Sequence, residues 1–353
     1  MHRLVAIEAR GQRFTDALRV AWDEGDAVLP VDPRLPAAAA ADLVETMRVG
    51  EAVEPGVALV MPTSGTTGVP KGVQLTHDQV AASAEATSSH LGIDSSRHRW
   101  LACLPLAHVG GLSVVARAWH TGTPLEVHDG FDAGAVDQAA RTGCTHVSLV
   151  GTALARIDPT AWTCIVLGGS APPPDRPANA IATYGMTETG SGVVYDGHPL
   201  PGVEVRIEGG EILVRGPMVA TAYRDGTPVV DAEGWLHTGD LGDLDDGVLT
   251  VHGRRGDMII SGGENVHPDP VERRLRQHPA IADAAVVGRP DPEWGQRVVA
   301  VVEVVPGPPA PSLEELRAWV REELPAWSAP KALEVVDHLP RTSLGKVRRA
   351  AVR

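Results

Sequence analysis

The chain has 353 residues, enough for a large core and more than one domain. Its 43% hydrophobic and 22% charged content is that of a folding globular protein, and its 38 glycines and 29 prolines mark many turns. The net charge of −14 argues against a nucleic-acid partner, which would want clustered Lys and Arg.

The opening stretch, MHRLVAIEARGQRF, has charges inside any apolar core and does not read as a signal peptide. No run approaches the ~20 apolar residues that span a bilayer. A cytoplasmic protein with no integral membrane segment is therefore expected. The first ~55 residues mix short apolar groups with an alanine run, PAAAAADLVETM, which predicts the start of a helix. VALV at 57–60 reads as a buried strand, followed by the hydroxyl- and glycine-rich MPTSGTTGVPKGV at 61–73. LTHDQVAASAEATSSHL then predicts a helix with Thr76 and Gln79 as a capping box. The loop is thus read as joining strand to helix, where α/β proteins place ligands.

WLACLPLAHVGGL, THVSLVGT and CIVLGGSAPP pair apolar runs with Gly/Pro breaks and read as buried strands opening onto a site. The cysteines among them, Cys103, Cys144 and Cys164, lack ligand or redox spacing and are expected to be buried free thiols. VEVRIEGGEILVRG alternates across a Gly-Gly turn and predicts a hairpin. In the last ~100 residues, GDMIISGGENVHP precedes a helix through VERRLRQH, then strands DAAVVG and RVVAVVEVV. SLEELRAWVREEL is a second helix, with Ser312 and Glu315 as a capping box and Leu313, Leu316, Trp319, Val320 and Leu324 on one face. KALEVVDHL is a final strand. The fold class is α/β: a large N-terminal α/β domain with a β-rich subdomain, residues 1–254, and a small mobile α+β domain, residues 257–353, with a hinge near Gly256.

The loop at 61–73 is not a Walker A loop, because Pro70 and Gly72 stand where Gly and Ser or Thr are required. No G-x-G-x-x-G opens a helix in the first βα unit either. Its chemistry still suits an anion: Gly65 and Gly68 free backbone N–H groups, Thr63, Ser64, Thr66 and Thr67 add hydroxyls, and Lys71 adds a cation. In YGMTETG, Tyr184, Thr187 and Glu188 suit a purine, a phosphate and Mg2+ respectively. Asp240 lies in the turn of GWLHTGDL, and Lys346 follows a glycine in the basic segment PRTSLGKVRR.

Taken together and in order, TSGTTGVPKG, PLAHVGGL, VLGGSAPP, YGMTET, GEILVRGP, GWLHTGDL, GRRGDMIISGGENVHP and PRTSLGKVRR resemble the adenylate-forming superfamily. That superfamily comprises acyl-CoA synthetases, firefly luciferase and peptide-synthetase adenylation domains. The resemblance covers nearly all of the chain from about residue 57. It implies an ATP-dependent acid–CoA ligase that forms an acyl-adenylate, with ATP, Mg2+, CoA and a small carboxylic acid as its partners. It further implies that Thr63, Ser64, Gly65, Thr66, Thr67, Gly68 and Lys71 hold the β- and γ-phosphates. Gly169, Ser170, Ala171 and Tyr184 would frame the adenine, Thr187 the α-phosphate and Glu188 the metal. Asp240, helped by Arg254, would take the ribose hydroxyls, and Lys346 would reach the substrate carboxylate and α-phosphate. His108, Gly185 and Met186 would border the acyl pocket, and Gly262 and Gly263 the pantetheine channel.

For His108, packing in the core is an equal alternative. Ser170 in LGGSA is no carrier-protein serine, since an apolar strand precedes it and prolines, not a helix, follow. Two features depart from the superfamily: the segment before the phosphate loop is short, and Gly256 stands where Asp or Lys is usual at the hinge. Within the superfamily, the short N-terminus, LVETMRVGEAVEPGVALVMPTSGTTG and YGMTETGSGVVYDGHPLPGVEVRI look most like the actinobacterial o-succinylbenzoate–CoA ligases of menaquinone biosynthesis. PLAHVGGL carries no acid to pair a substrate amine, which fits an acid without an α-amino group. A second carboxylate would need a cation; Arg117 and His120 are near in sequence, and neither is assigned. The alternatives are another aryl- or fatty-acid–CoA ligase, and a non-catalytic nucleotide-binding homologue, against which the intact Lys346, Asp240 and Glu188 speak. Homo-oligomerisation stays open.

Overall fold

In the computed structural model, which describes residues 2–63, 70–169, 172–173, 175–307, 309–341 and 347–352, the first 63 residues are more regular than their sequence promised. Strands Leu4–Ile7, Ala27–Pro30 and Val57–Thr63 lie side by side and parallel, joined by helices Gly11–Asp23 and Ala37–Thr46. Leu4, Leu29, Val57 and Val60 pack with Leu43 and Met47 of the second helical segment into one buried cluster.

The fourth strand of this sheet is a correction. Lys71–Thr76 runs antiparallel to Val57–Thr63, with Thr63 opposite Lys71. The phosphate-loop segment therefore joins two strands, and the helix begins only at His77. Val73 and Leu75, buried at 0% and 1% exposure, supply the period-2 pattern that the helix signal behind them masked. The capping box itself forms: Gln79 N–H donates to Thr76 Oγ1 at 3.2 Å, and Thr76 N–H to Gln79 Oε1 at 2.8 Å.

A seven-stranded sheet follows. Its order is His198–Pro199, Ser191–Tyr195, Ala180–Met186, Cys164–Leu167, His146–Leu149, Trp100–Ala102, Leu125–Val127. The five strands from Ala180–Met186 to Leu125–Val127 are parallel. The chain first adds Leu125–Val127 on one side of Trp100–Ala102, then builds outward on the other. The order thus reverses between Trp100–Ala102 and His146–Leu149, the kind of position where open α/β sheets bind ligands at the strands' carboxyl ends.

WLACLPLAHVGGL is strand only over Trp100–Ala102; its VGGL opens the helix Val109–Thr121. Glycine is a poor helix former, so propensity argued otherwise. Tertiary packing decides: a Cβ on Gly111 would lie 2.5 Å from the Pro105 carbonyl oxygen and 2.7 Å from that of Leu104. Only glycine lets the helix start this close to the loop before it.

Glu204–Glu208 and Glu211–Arg215 are adjacent strands across Gly209–Gly210, as the alternation predicted; they continue through Leu236–Asp245 into Val248–Arg254. The chain divides into two compact units. The first comprises Met1–Arg206, Leu213–His237 and Asp246–Leu249; the second Ile207–Ile212, Thr238–Asp245 and Thr250–Arg353.

Within the second unit, the hairpin Ile281–Asp291 and Gly295–Val304 is flanked by Ile259–Ser261 with Glu264–Val266 and by Ala332–Val335. Val271 and Leu275 of helix Pro268–Arg276 and Leu316 and Val320 of helix Leu313–Arg321 close the core over Val286, Val298 and Ala300. The second capping box forms only by half. Ser312 Oγ accepts the Glu315 N–H at 3.2 Å, while the Glu315 carboxylate lies 3.4 Å from His278 Nε2 instead.

All three thiols are free and buried. Burial pushes Cys103 up to about 12, and Cys144 and Cys164 up to about 11. Almost no thiolate exists at pH 8, so a thiol reagent should label none of them in the folded protein and all three after unfolding in denaturant. Prompt labelling of the native protein would contradict this packing. No helix among the described residues is long and apolar enough to cross a membrane.

Candidate active site

The parallel strands deliver the predicted residues to one end of the seven-stranded sheet. His108 follows Trp100–Ala102, Gly169 follows Cys164–Leu167, Tyr184, Gly185 and Met186 end Ala180–Met186, and Thr187 and Glu188 form the turn behind it. The turn is rigid. Thr189, fully buried, accepts the Met186 N–H at 2.9 Å and donates to the Ser191 carbonyl at 2.6 Å. A Cβ on Gly185 would lie 2.2 Å from the Ser191 carbonyl oxygen, so the neighbouring strand alone excludes a side chain there.

Glu188 and Lys71 meet through a residue the sequence reading did not single out. Tyr223 donates its hydroxyl to Glu188 Oε1 at 3.1 Å, and Lys71 Nζ sits 4.7 Å from the centre of its ring. Burial and the Glu188 carboxylate push the Tyr223 phenol up to about 12, so it stays a neutral donor. Tyr223 follows the buried Met218, Val219 and Ala220 in a stretch with no motif of its own, and its partners are distant in sequence.

His108 stands at the N-cap position of helix Val109–Thr121 without a side-chain cap bond, and is neither core nor open. Its side chain is 31% exposed, with Nε2 3.6 Å from Asp32 Oδ2. Asp32 is held by Arg34, whose Nε lies 2.9 Å from Oδ1. Burial lowers the pKa of His108, with Asp32 opposing, so the ring tends to neutrality.

The structure separates the two residues left unassigned as cations. His120 pairs with the exposed Glu85 at 2.9 Å. Arg117 is buried at 2% exposure. Its guanidinium donates to Ser113 Oγ at 3.0 Å, Ser191 Oγ at 2.6 Å and Ser148 Oγ at 3.3 Å, and lies 5.6 Å from the Trp100 ring centre. Among the described residues no carboxylate pairs with it, and its Nε has no hydrogen-bond partner. Ser191 is opposite Met186 in the sheet register, and Ser148 is next to last in its strand, which sets this cation at the carboxyl-end edge. A buried guanidinium served only by hydroxyls is an incomplete ion pair.

In the second unit, Asp240 is 7% exposed and Arg254 Nε lies 2.7 Å from its Oδ1. Arg254 also donates to the Thr238 carbonyl at 3.1 Å, and the Asp240 N–H to Thr238 Oγ1 at 3.0 Å. Gly262 and Gly263, with φ of 64° and 85°, make the two-residue turn between Ile259–Ser261 and Glu264–Val266. A Cβ on Gly262 would meet the Trp294 ring at 2.7 Å. Ser64, Gly65, Thr66, Thr67, Gly68, Ser170, Ala171 and Lys346 lie outside the described residues; of the phosphate-loop set, Thr63 and Lys71 are placed, directly opposite each other.

Among the described residues no group of three or more His, Cys, Asp or Glu could hold a metal ion. Mg2+ takes one or two carboxylates and draws its other oxygens from phosphate and water. Glu188 offers a hard oxygen donor whose partner Tyr223 also carries Lys71.

Residues 17–224 match the family model described as AMP-binding enzyme, and residues 270–346 that of the AMP-binding enzyme C-terminal domain. The chain is 44% identical over 337 residues to a probable 2-succinylbenzoate–CoA ligase of Mycobacterium tuberculosis, covering 88% of this chain and 87% of that one. It is 38% identical over 336 residues to the 2-succinylbenzoate–CoA ligase of Bacillus cereus, covering 83% and 69%. Among solved structures, o-succinylbenzoate CoA synthetase from Bacillus subtilis with its acyl-adenylate intermediate superposes with a TM-score of 0.89 at 30% identity, covering 99% of this chain and 88% of that one. The same enzyme with ATP and magnesium gives 0.87. The chain belongs to the AMP-binding enzyme family.

Proposed function

We propose that this protein is an ATP-dependent carboxylic acid–CoA ligase whose acid is 2-succinylbenzoate. Its similarity to ligases of that name supports the reaction. The observation that carries the choice of acid is Arg117. A succinylbenzoate has two carboxylates, and activating one leaves the other anionic. The buried guanidinium, cradled by Ser113, Ser148 and Ser191 with no carboxylate partner among the described residues, supplies the missing charge.

A carboxylate is a poor electrophile, so the acid oxygen attacks the α-phosphorus of ATP and the bond to the bridging oxygen breaks, releasing pyrophosphate. Lys71 and the threonine-rich loop steady the departing β- and γ-phosphates, and Thr187 the α-phosphate. Bound Mg2+, with Glu188 as its protein ligand, would screen the phosphate charge from the incoming anion. Asp240, held by Arg254, receives the ribose hydroxyls. Lys346 neutralises the meeting carboxylate and α-phosphate. The CoA thiolate then attacks the acyl carbon and AMP leaves, with the Gly262–Gly263 turn admitting the pantetheine arm. The first half-reaction is tested by ATP–pyrophosphate exchange, which 2-succinylbenzoate should drive well above background. No exchange with it or with other acids would leave only a nucleotide-binding homologue.

A further inference from the structure

Two residues with different tasks, Glu188 toward the metal and Lys71 toward the phosphates, share one side chain. Tyr223 reaches Glu188 Oε1 with its hydroxyl at 3.1 Å and carries Lys71 Nζ 4.7 Å above its ring centre. Its backbone is pinned to both neighbourhoods. Arg224 N–H donates to the Gly72 carbonyl, Gln74 N–H to the Ala222 carbonyl at 3.1 Å, and Ala220 N–H to the Glu188 carbonyl at 2.8 Å. Gln74 Nε2 adds a bond to the Tyr223 carbonyl at 3.1 Å. Arg224, buried next door, donates to the carbonyls of Met47 at 3.1 Å and Ala52 at 2.9 Å, so the segment cannot slide along the strand Lys71–Thr76.

We propose that Tyr223 is a positioning residue that fixes the metal-facing carboxylate and the phosphate-facing ammonium relative to one another before ATP arrives. Its hydroxyl orients Glu188 through a hydrogen bond, and its ring face holds the Lys71 cation over a π surface. The two functions are separable, because phenylalanine keeps the ring and loses the hydroxyl. This inference rests on the ligase reading only in giving Glu188 the metal and Lys71 the phosphates.

Calorimetric titration of the intact protein with ATP, with and without Mg2+, tests it. In wild type, Mg2+ should tighten ATP binding. Tyr223→Phe should cut that enhancement about three- to tenfold while leaving Mg2+-free affinity unchanged. Tyr223→Leu should lose the enhancement equally and also weaken Mg2+-free binding about two- to tenfold, as Lys71→Met should. In a Glu188→Gln background, which should lack the enhancement, adding Tyr223→Phe should change nothing more. A full enhancement in Tyr223→Phe while Glu188→Gln abolishes it overturns the positioning role and leaves the role of Glu188 standing. No effect of Glu188→Gln overturns both. Equal losses in the Phe and Leu variants, with and without Mg2+ and in step with lowered melting temperature, make Tyr223 a packing residue and overturn the inference.

Discussion

Arg117→Leu should lower kcat/KM for 2-succinylbenzoate about thirty- to a thousandfold, the effect of removing about 2–4 kcal/mol of buried charge recognition. The same variant should process a monocarboxylic aryl acid at close to its wild-type rate, since nothing in that acid needs the cation. Arg117 donates to three serines from different parts of the fold, Ser113 on its own helix, Ser148 and Ser191 on strands. Those hydroxyls can turn outward and pass the positive field to a bound anion. Arg117→Lys separates charge from shape: it keeps the cation and loses the planar fork, so it should recover part of the loss. Steady-state kinetics on both acids decides. Equal losses for both, tracking a lowered melting temperature, would mean that the guanidinium serves packing against Trp100 and the serines.

Lys346→Ala should lower acyl-adenylate formation about a hundred- to a thousandfold, while supplied acyl-adenylate is still converted to thioester at near the wild-type rate. The two half-reactions ask opposite things of a cation at the α-phosphate. In the first it neutralises two approaching anions; in the second the nucleophile is itself an anion needing room. Lys346 lies outside the described residues, but both flanks of its segment are anchored within the second unit. Arg341 meets Asp283 at 2.6 Å and Glu303 at 3.1 Å; Arg349 meets Asp257 at 2.8 Å and Glu272 at 2.7 Å, and also Asp269. Arg341 and Val347 are bridged backbone to backbone. Asp257 belongs to the turn Arg255–Asp257 around Gly256, the proposed hinge. At Gly256 an added Cβ meets nothing within 4 Å, so nothing in this conformation demands glycine. Exchange and single-turnover thioester assays separate the steps; equal loss in both would contradict the division of labour.

Local rules made much of this fold legible. Thr76 and Gln79 announced a helix start because a capping box is completed within four residues. VEVRIEGGEILVRG declared its hairpin by alternation and a Gly-Gly turn. Glycine in VGGL misled, because its reason is the carbonyl of Pro105 pressed against Gly111, which no helix propensity records. Lys71–Thr76 was hidden by the stronger helix signal after it. The site divided similarly. Motif residues such as Glu188 and Asp240 could be singled out from short segments, whereas the settings of Arg117 and Tyr223 could not. Arg117 draws its meaning from Ser148 and Ser191, 31 and 74 residues away, and Tyr223 from Glu188, 35 residues away. Such partnerships exist only after the sheets assemble.

The most direct test is a single competition: the protein with ATP, Mg2+ and CoA, and equal concentrations of 2-succinylbenzoate, benzoate and a medium-chain fatty acid, with thioesters and nucleotides measured by mass spectrometry. The account predicts that 2-succinylbenzoyl-CoA dominates and that AMP appears in equal amount. Predominance of a monocarboxylic thioester, or ADP in place of AMP, would contradict it.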